Sequence, residues 1–196
     1  MRSVDGMFMK SKGVLDKNAA NSGKTGRNSG KTKQIVLTGL FFAIALVLAI
    51  MENMLPPVPV PVPGVKFGLS NIAVMFALFF LTKSQAYTIA ILKAMFVAMT
   101  RGLTAGLLSL SGGLISLTVK VVLLILFKDR ISYLAISIAG AIAHNLGQFA
   151  AISFIYTGFY MLAYLPVLMV SGIVAGIVTA TLLRFILPAF KKLVYI

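Results

Sequence analysis

The sequence contains no cysteine, which excludes disulfide frameworks, thiol nucleophiles and metal or iron–sulfur sites held by cysteine. It contains one histidine, so imidazole ligation of a metal would need carboxylates or thiols beside it. Charged residues make up 11% of the chain, against roughly 25% in soluble domains, too few to clothe a packed sphere in water. Acidic residues are scarcest: four against eighteen basic ones, a net charge of +14. What fills the chain instead is apolar, 59% hydrophobic with a mean hydropathy of +0.99. The solvent for most of the chain is therefore lipid. The excess of basic charge reads as orientation in a membrane and attraction to anionic lipid or ligand, rather than nucleic-acid binding.

Residues 1–34 stand apart as a basic tail without apolar periodicity, expected to be disordered. The fragment Ser22 to Thr32 repeats Gly-Lys-Thr-like triplets but lacks the spacing and preceding strand of a phosphate-binding loop. The apolar run that follows is too long for a signal peptide. Residues 35–196 divide into six expected transmembrane helices: Ile35–Leu55, Phe67–Leu81, Ser84–Leu108, Leu114–Phe127, Ile131–Tyr156 and Leu165–Phe190. The first, at about 1.5 Å per residue, crosses the ~30 Å of hydrocarbon. The second is short, tilted or partly buried in protein. Five prolines between Pro56 and Pro63 form a stiff, extended connection. Ser109 to Gly113 reads as a turn. Basic residues crowd one side: eight in the tail, then Lys83, Lys128, Arg130, Lys191 and Lys192. The other side has Lys66 and, where it reaches the surface, Arg101. Both termini are thus expected in the cytoplasm of a multi-pass protein of the bacterial cell membrane.

Charges inside a span cost roughly 2.5 to 3.5 kcal/mol each even on the lenient insertion scale, so Glu52, Lys93, Arg101, Lys120 and Arg184 each need a partner, a polar cavity or a route to the surface. Arg184 lies near a helix end and snorkels. Glu52 pairs with Lys66 or Arg101, or rests in the interface. Lys93 and Arg101 fall within roughly 80° of each other and about 12 Å apart on one helix, so they can line one side of a cavity. Lys93 and Lys120 lack an equal number of carboxylates, and an anionic guest would neutralise them. His144 and Gln148, at i and i+4 with Asn145 adjoining, concentrate three hydrogen-bonding side chains in one turn, suited to a ligand or to interhelical bonds. The expected cavity is bordered by Lys66, Asn71, Lys93, Arg101, His144, Asn145 and Gln148. Small residues recur at four-residue spacing at Ala45/Ala49, Gly102/Gly106 and Gly172/Gly176, and flatten helix faces for close packing.

Four stretches resemble a membrane family labelled Gx transporter or heptaprenyl diphosphate synthase component I: Phe67-Gly68-Leu69-Ser70-Asn71-Ile72, Ser111 to Ser116, Ala139 to Gln148, and Tyr164 to Leu168 with Ser171-Gly172-Ile173. They span about residues 35 to 185, and Ala143-His144-Asn145-Leu146-Gly147-Gln148 is the most specific. More distantly the chain looks like the substrate-binding S components of energy-coupling factor transporters, all-α six-helix bundles. That resemblance implies capture of a small anionic or amphipathic molecule (flavin, vitamin, quinone or prenyl phosphate) and, for ATP-driven transport, a separate coupling subunit and ATPases. It also implies that Ala45 and Ala49 contact the coupling subunit. The synthase label is a competing reading; prenyl diphosphate synthases hold magnesium through clustered aspartates, whereas Asp5, Asp16, Glu52 and Asp129 are far apart, so a non-catalytic accessory role is what that label implies. A third reading, from relatives that look like membrane components of flavin-based extracellular electron transfer, implies handling of a flavin or quinone. No enzyme activity, metal or cofactor is expected.

Overall fold

Apolar runs in lipid have one economical solution, because backbone N–H and C=O groups must find partners within the segment itself. The computed structural model describes residues 24–54, 68–127, 131–155 and 165–194, with side chains at 31–54, 68–127, 131–155 and 165–185. The described residues form six helices and no strands: α1 Lys24–Met54, α2 Leu69–Phe80, α3 Lys83–Arg101, α4 Leu103–Phe127, α5 Tyr133–Ile155 and α6 Leu165–Val194. Segments Lys31–Met54, Leu103–Phe127, Tyr133–Ile155 and Leu165–Phe185 are long and apolar enough to cross a membrane. Helix α2 has 12 residues, and α3 carries Lys83, Lys93 and Arg101 in 19. The proline connection, Lys66, the Lys128-Asp129-Arg130 turn and residues 1–23 of the tail lie outside the described residues.

Helix α2 is the core of the protein. Every residue from Ile72 to Phe80 is buried, and α1, α3, α4 and α6 pack around it. A helix apolar on all sides is stable only when enclosed, and Leu69–Phe80 satisfies that rule by sitting inside the bundle. Phe76 and Phe80 stack at 6.0 Å between ring centroids, Phe41 of α1 stacks on Phe80 at 6.4 Å, and Tyr133 of α5 meets Phe79 edge-on at 5.5 Å. Among lipid tails such burial gains little from hydrophobic transfer, so the density of these contacts supplies the cohesion. At about 18 Å, α2 is too short to cross the hydrocarbon unaided, and its ends need protein partners. Its N-terminus begins at Gly68, in the left-handed region at φ 71°, whose N–H donates to the Glu52 carboxylate. Beyond its C-terminus, Thr82 and Gln85 form a capping box that starts α3.

Three boundaries differ from expectation. Helix α1 starts at Lys24, inside the segment expected to be disordered to residue 34. Extending a helix already nucleated by the apolar run fixes one residue per added bond, far less costly than nucleating a new one. The expected helix Ser84–Leu108 breaks at Gly102, and the expected turn Ser109–Gly113 is helical within α4. Both follow from glycine placement. Gly102, at φ 90°, caps α3 with its N–H on Ala98 O and turns the chain back, and Gly106 then presses on Ala98 so closely that a Cβ there would lie 2.4 Å from the Ala98 Cβ. Gly112 stays helical because it is where α4 touches α5, with His144 O 2.8 Å from the position a Cβ would take.

Candidate functional site

Helices α1, α3, α4 and α5, with the start of α2, enclose a cavity of about 620 Å³. Asn71, Lys93, Arg101, His144, Asn145 and Gln148 all line it, as do Glu52 and Ser70. The places of His144 and Gln148 in this lining depend on close helix approach. Gly112 and Gly147 lie at the α4–α5 contact, where a Cβ on Gly147 would be 3.0 Å from the Gly112 Cα. The His144 ring rests beside Gly112 as a result. Gly172 and Gly176 of α6 pack in the same way on Ile142 and Ile138 of α5, so these small residues serve internal packing.

One side of the cavity is a closed polar chain. The Glu52 carboxylate accepts from Gly68 N–H and, at 3.4 Å, from the Ser70 hydroxyl. The Lys93 ammonium donates to Ser70 Oγ at 3.1 Å and to Asn71 Oδ1 at 2.7 Å. Glu52 and Lys93, both at least nine-tenths buried, feel each other's charge through this link. The positive N-terminal end of the α2 dipole adds to the stabilisation of the carboxylate. The polypeptide thus brings one carboxylate, Glu52, to Lys93, still fewer than the two lysines Lys93 and Lys120. Glu52 is buried against the start of α2, bonded to Gly68 and Ser70 rather than to Arg101, and Lys66, its other expected partner, lies outside the described residues. Nothing local in the sequence marks Glu52 as part of the site, because its partners, Gly68 and Ser70, are 16 and 18 residues away across the proline segment.

The other side is less complete. On α5, His144 Nδ1 and Gln148 Oε1 are buried without a hydrogen-bond partner. Asn145 donates to Leu168 O at 2.7 Å and Ser171 Oγ at 3.1 Å, so its amide nitrogen joins α5 to α6 even though the residue borders the cavity. Arg101, at the end of α3, is exposed at the rim. Arg184 is exposed and is not among the lining residues. Among the described residues no three His, Asp or Glu side chains are grouped closely enough to hold a metal ion.

Ala45 and Ala49 face inward. They are 0% and 6% exposed, packed within the bundle, and Ala49 lines the cavity. In this chain α1 turns the row expected to meet a coupling subunit toward α2 and α3, where small residues let α1 close on the fully buried α2. The exposed face of α1 carries Ile35, Val36, Gly39, Leu40, Ala43, Val47, Ile50, Met51 and Met54.

A helical protein with four spans of membrane length and a polar cavity between its helices is of the membrane type. The sequence pattern of the family described as heptaprenyl diphosphate synthase component I matches residues 41–186, and the chain belongs to that family. No curated protein and no solved structure matches it.

Proposed function

We propose that the protein is a multi-pass component of the cell membrane that binds a small anionic or amphipathic molecule in this cavity and works with separate subunits in its transport. The observation that carries the reading is the pairing of two cationic groups, Lys93 and Arg101, with the unpartnered atoms His144 Nδ1 and Gln148 Oε1 in one space of about 620 Å³. A buried polar atom without a partner costs about 1–3 kcal/mol, a penalty that a ligand would remove by offering an N–H or O–H donor to Gln148 Oε1 beside its anionic or polar group. The volume is that of an ordinary small-molecule site. The sequence has only four carboxylates, and the described one, Glu52, is engaged with α2 and Ser70, so we read the chain as a binding rather than a catalytic component. The excess of basic residues in the tail and at the C-terminus supports both termini in the cytoplasm. The family's description names a synthase component, and the competing reading is a non-catalytic membrane accessory of heptaprenyl diphosphate synthesis.

The experiment is to purify the protein in mild detergent, denature it and identify what is released by mass spectrometry. A near-stoichiometric small molecule, absent from an Arg101→Gln/Gln148→Leu double variant, is the expected result. Release of bulk lipid alone from both proteins would overturn the carrier reading. Co-purification with a soluble prenyl synthase, and a change in its product length, would replace it with the accessory reading.

A further inference from the structure

Two polar groups of α4 have no role in the cavity described above. Lys120 is 4% exposed and Ser116, one turn earlier, is 3% exposed. The Ser116 hydroxyl has no hydrogen-bond partner, and no hydrogen bond reaches the Lys120 ammonium from the described residues. The lysine stem lies on α5 at Gly140, where a Cβ would come within 2.0 Å of Lys120 Cε and within 3.0 Å of its Cδ. A lysine in a span ordinarily snorkels toward the surface. Here the missing side chain at Gly140 gives it an inward berth one helical turn, about 6 Å, from His144.

Lys120 rests on Gly140, one turn of α5 from His144, and His144 lines the same cavity as Lys93, so the two ammonium groups belong to one neighbourhood of the bundle. Like charges in a dry interior repel strongly unless a counter-charge lies between them. Glu52 is the carboxylate at hand, and it is held by Gly68 N–H and Ser70 on the α2 side of Lys93. The second ammonium therefore lacks a counter-ion from the described residues. Lys120 offers three N–H donors, Ser116 one O–H, and Lys93 one N–H beyond those given to Ser70 and Asn71. That set matches an oxyanion with several acceptor oxygens.

We propose that Lys120 and Ser116, together with Lys93, form a second anion seat one turn beyond His144, and that it takes a phosphate-class oxyanion while the rest of the ligand lies toward Arg101. This rests on the reading of the cavity as an anion-binding site and adds the class of charged group and its orientation. A soluble phosphate ester and a phospholipid headgroup share this chemistry.

The test uses the full chain in phosphatidylcholine nanodiscs, labelled with pyridoxal 5′-phosphate, an anionic amine-reactive aldehyde, then borohydride-reduced and mapped by peptide mass spectrometry. Lys93 and Lys120 are expected to be labelled, and inorganic pyrophosphate to suppress both at least about tenfold, while Lys31, Lys33 and Lys83 label unchanged. Ser116→Ala should raise the pyrophosphate concentration for half-protection by about tenfold, equivalent to one hydrogen bond to a charged group. Gly140→Leu, which displaces Lys120 without removing its charge, should abolish protection at Lys120 and leave it at Lys93. Replacing the lipid with phosphatidylglycerol, without pyrophosphate, separates the sources: protection there supports the seat with a lipid headgroup in it, and protection only by pyrophosphate supports it with a soluble ligand. No labelling of Lys120 overturns the proposal, as does protection of Lys93 alone, which leaves the cavity reading standing. Protection of neither lysine by either source overturns both.

Discussion

On the side of α1 to α3, Glu52, Gly68, Ser70, Lys93 and Asn71 form a closed chain of donors and acceptors, whereas on α5 His144 Nδ1 and Gln148 Oε1 have no partner. The first arrangement satisfies charges that belong to the protein itself. It ties the end of α1, the start of α2 and the middle of α3 together, so it is structural as well as electrostatic. The second leaves acceptors on a wall held rigid by glycine contacts between α4 and α5. The first side keeps one Lys93 N–H to offer, whereas the second has acceptors that only something the chain does not contain would satisfy.

This contrast can be broken by substitution, most severely on the closed side. Glu52→Gln removes the carboxylate that faces Lys93 and the α2 N-terminus, and should lower stability by about 3 kcal/mol, the scale for leaving a buried charge unpaired. Reversible unfolding in mixed micelles measures this; a loss below about 1 kcal/mol would show that Lys93 does not depend on Glu52. Gly112→Ala attacks the rigid wall, since its Cβ would lie 2.8 Å from both Gln148 Cγ and His144 O. Overpacking of that kind costs typically 1–3 kcal/mol, and wild-type stability would mean that α4 and α5 are free to separate there.

Two smaller effects sharpen the comparison. Combining Glu52→Gln with Lys93→Met removes both charges, and the double variant should be more stable than Glu52→Gln alone by about 1 kcal/mol or more; strict additivity of the two single losses would argue against their coupling. Gln148→Leu should change stability least, from no effect to a gain of about 1 kcal/mol, because it deletes a buried acceptor that nothing satisfies. The same variant should lose the co-purifying molecule. A clear destabilisation would reveal that Gln148 already has a partner in the fold.

Several parts of the site were legible from residue types and spacing. Lys93, Arg101, His144 and Gln148 stand out because polar groups are costly in apolar helices, and all four line the same space. Glu52 escaped because its significance comes from Gly68 and Ser70, brought near by a chain segment with no local periodicity. Asn145 was indistinguishable by pattern from its neighbours, yet its position one residue on from His144 rotates it toward α6, where Leu168 O accepts its amide. The glycines misled most. Ser109 to Gly113 has turn-forming composition, but the disadvantage of glycine in a helix, about 1 kcal/mol per residue, is outweighed where its missing side chain admits a neighbouring helix.

The sequence by itself determined the solvent and the class of structure: an apolar chain with few charges must bury its backbone hydrogen bonds in helices, and the lengths of its apolar runs place most of their boundaries. Tertiary structure decided which face of each helix is inside. It turned Ala45 and Ala49 inward, enclosed α2 on all sides, brought Glu52 to Lys93 and laid Lys120 on Gly140. Periodicity marks which residues share a face, but the direction of that face is set by which neighbours approach it, and in lipid that choice depends on packing and on polar partners distant in the chain.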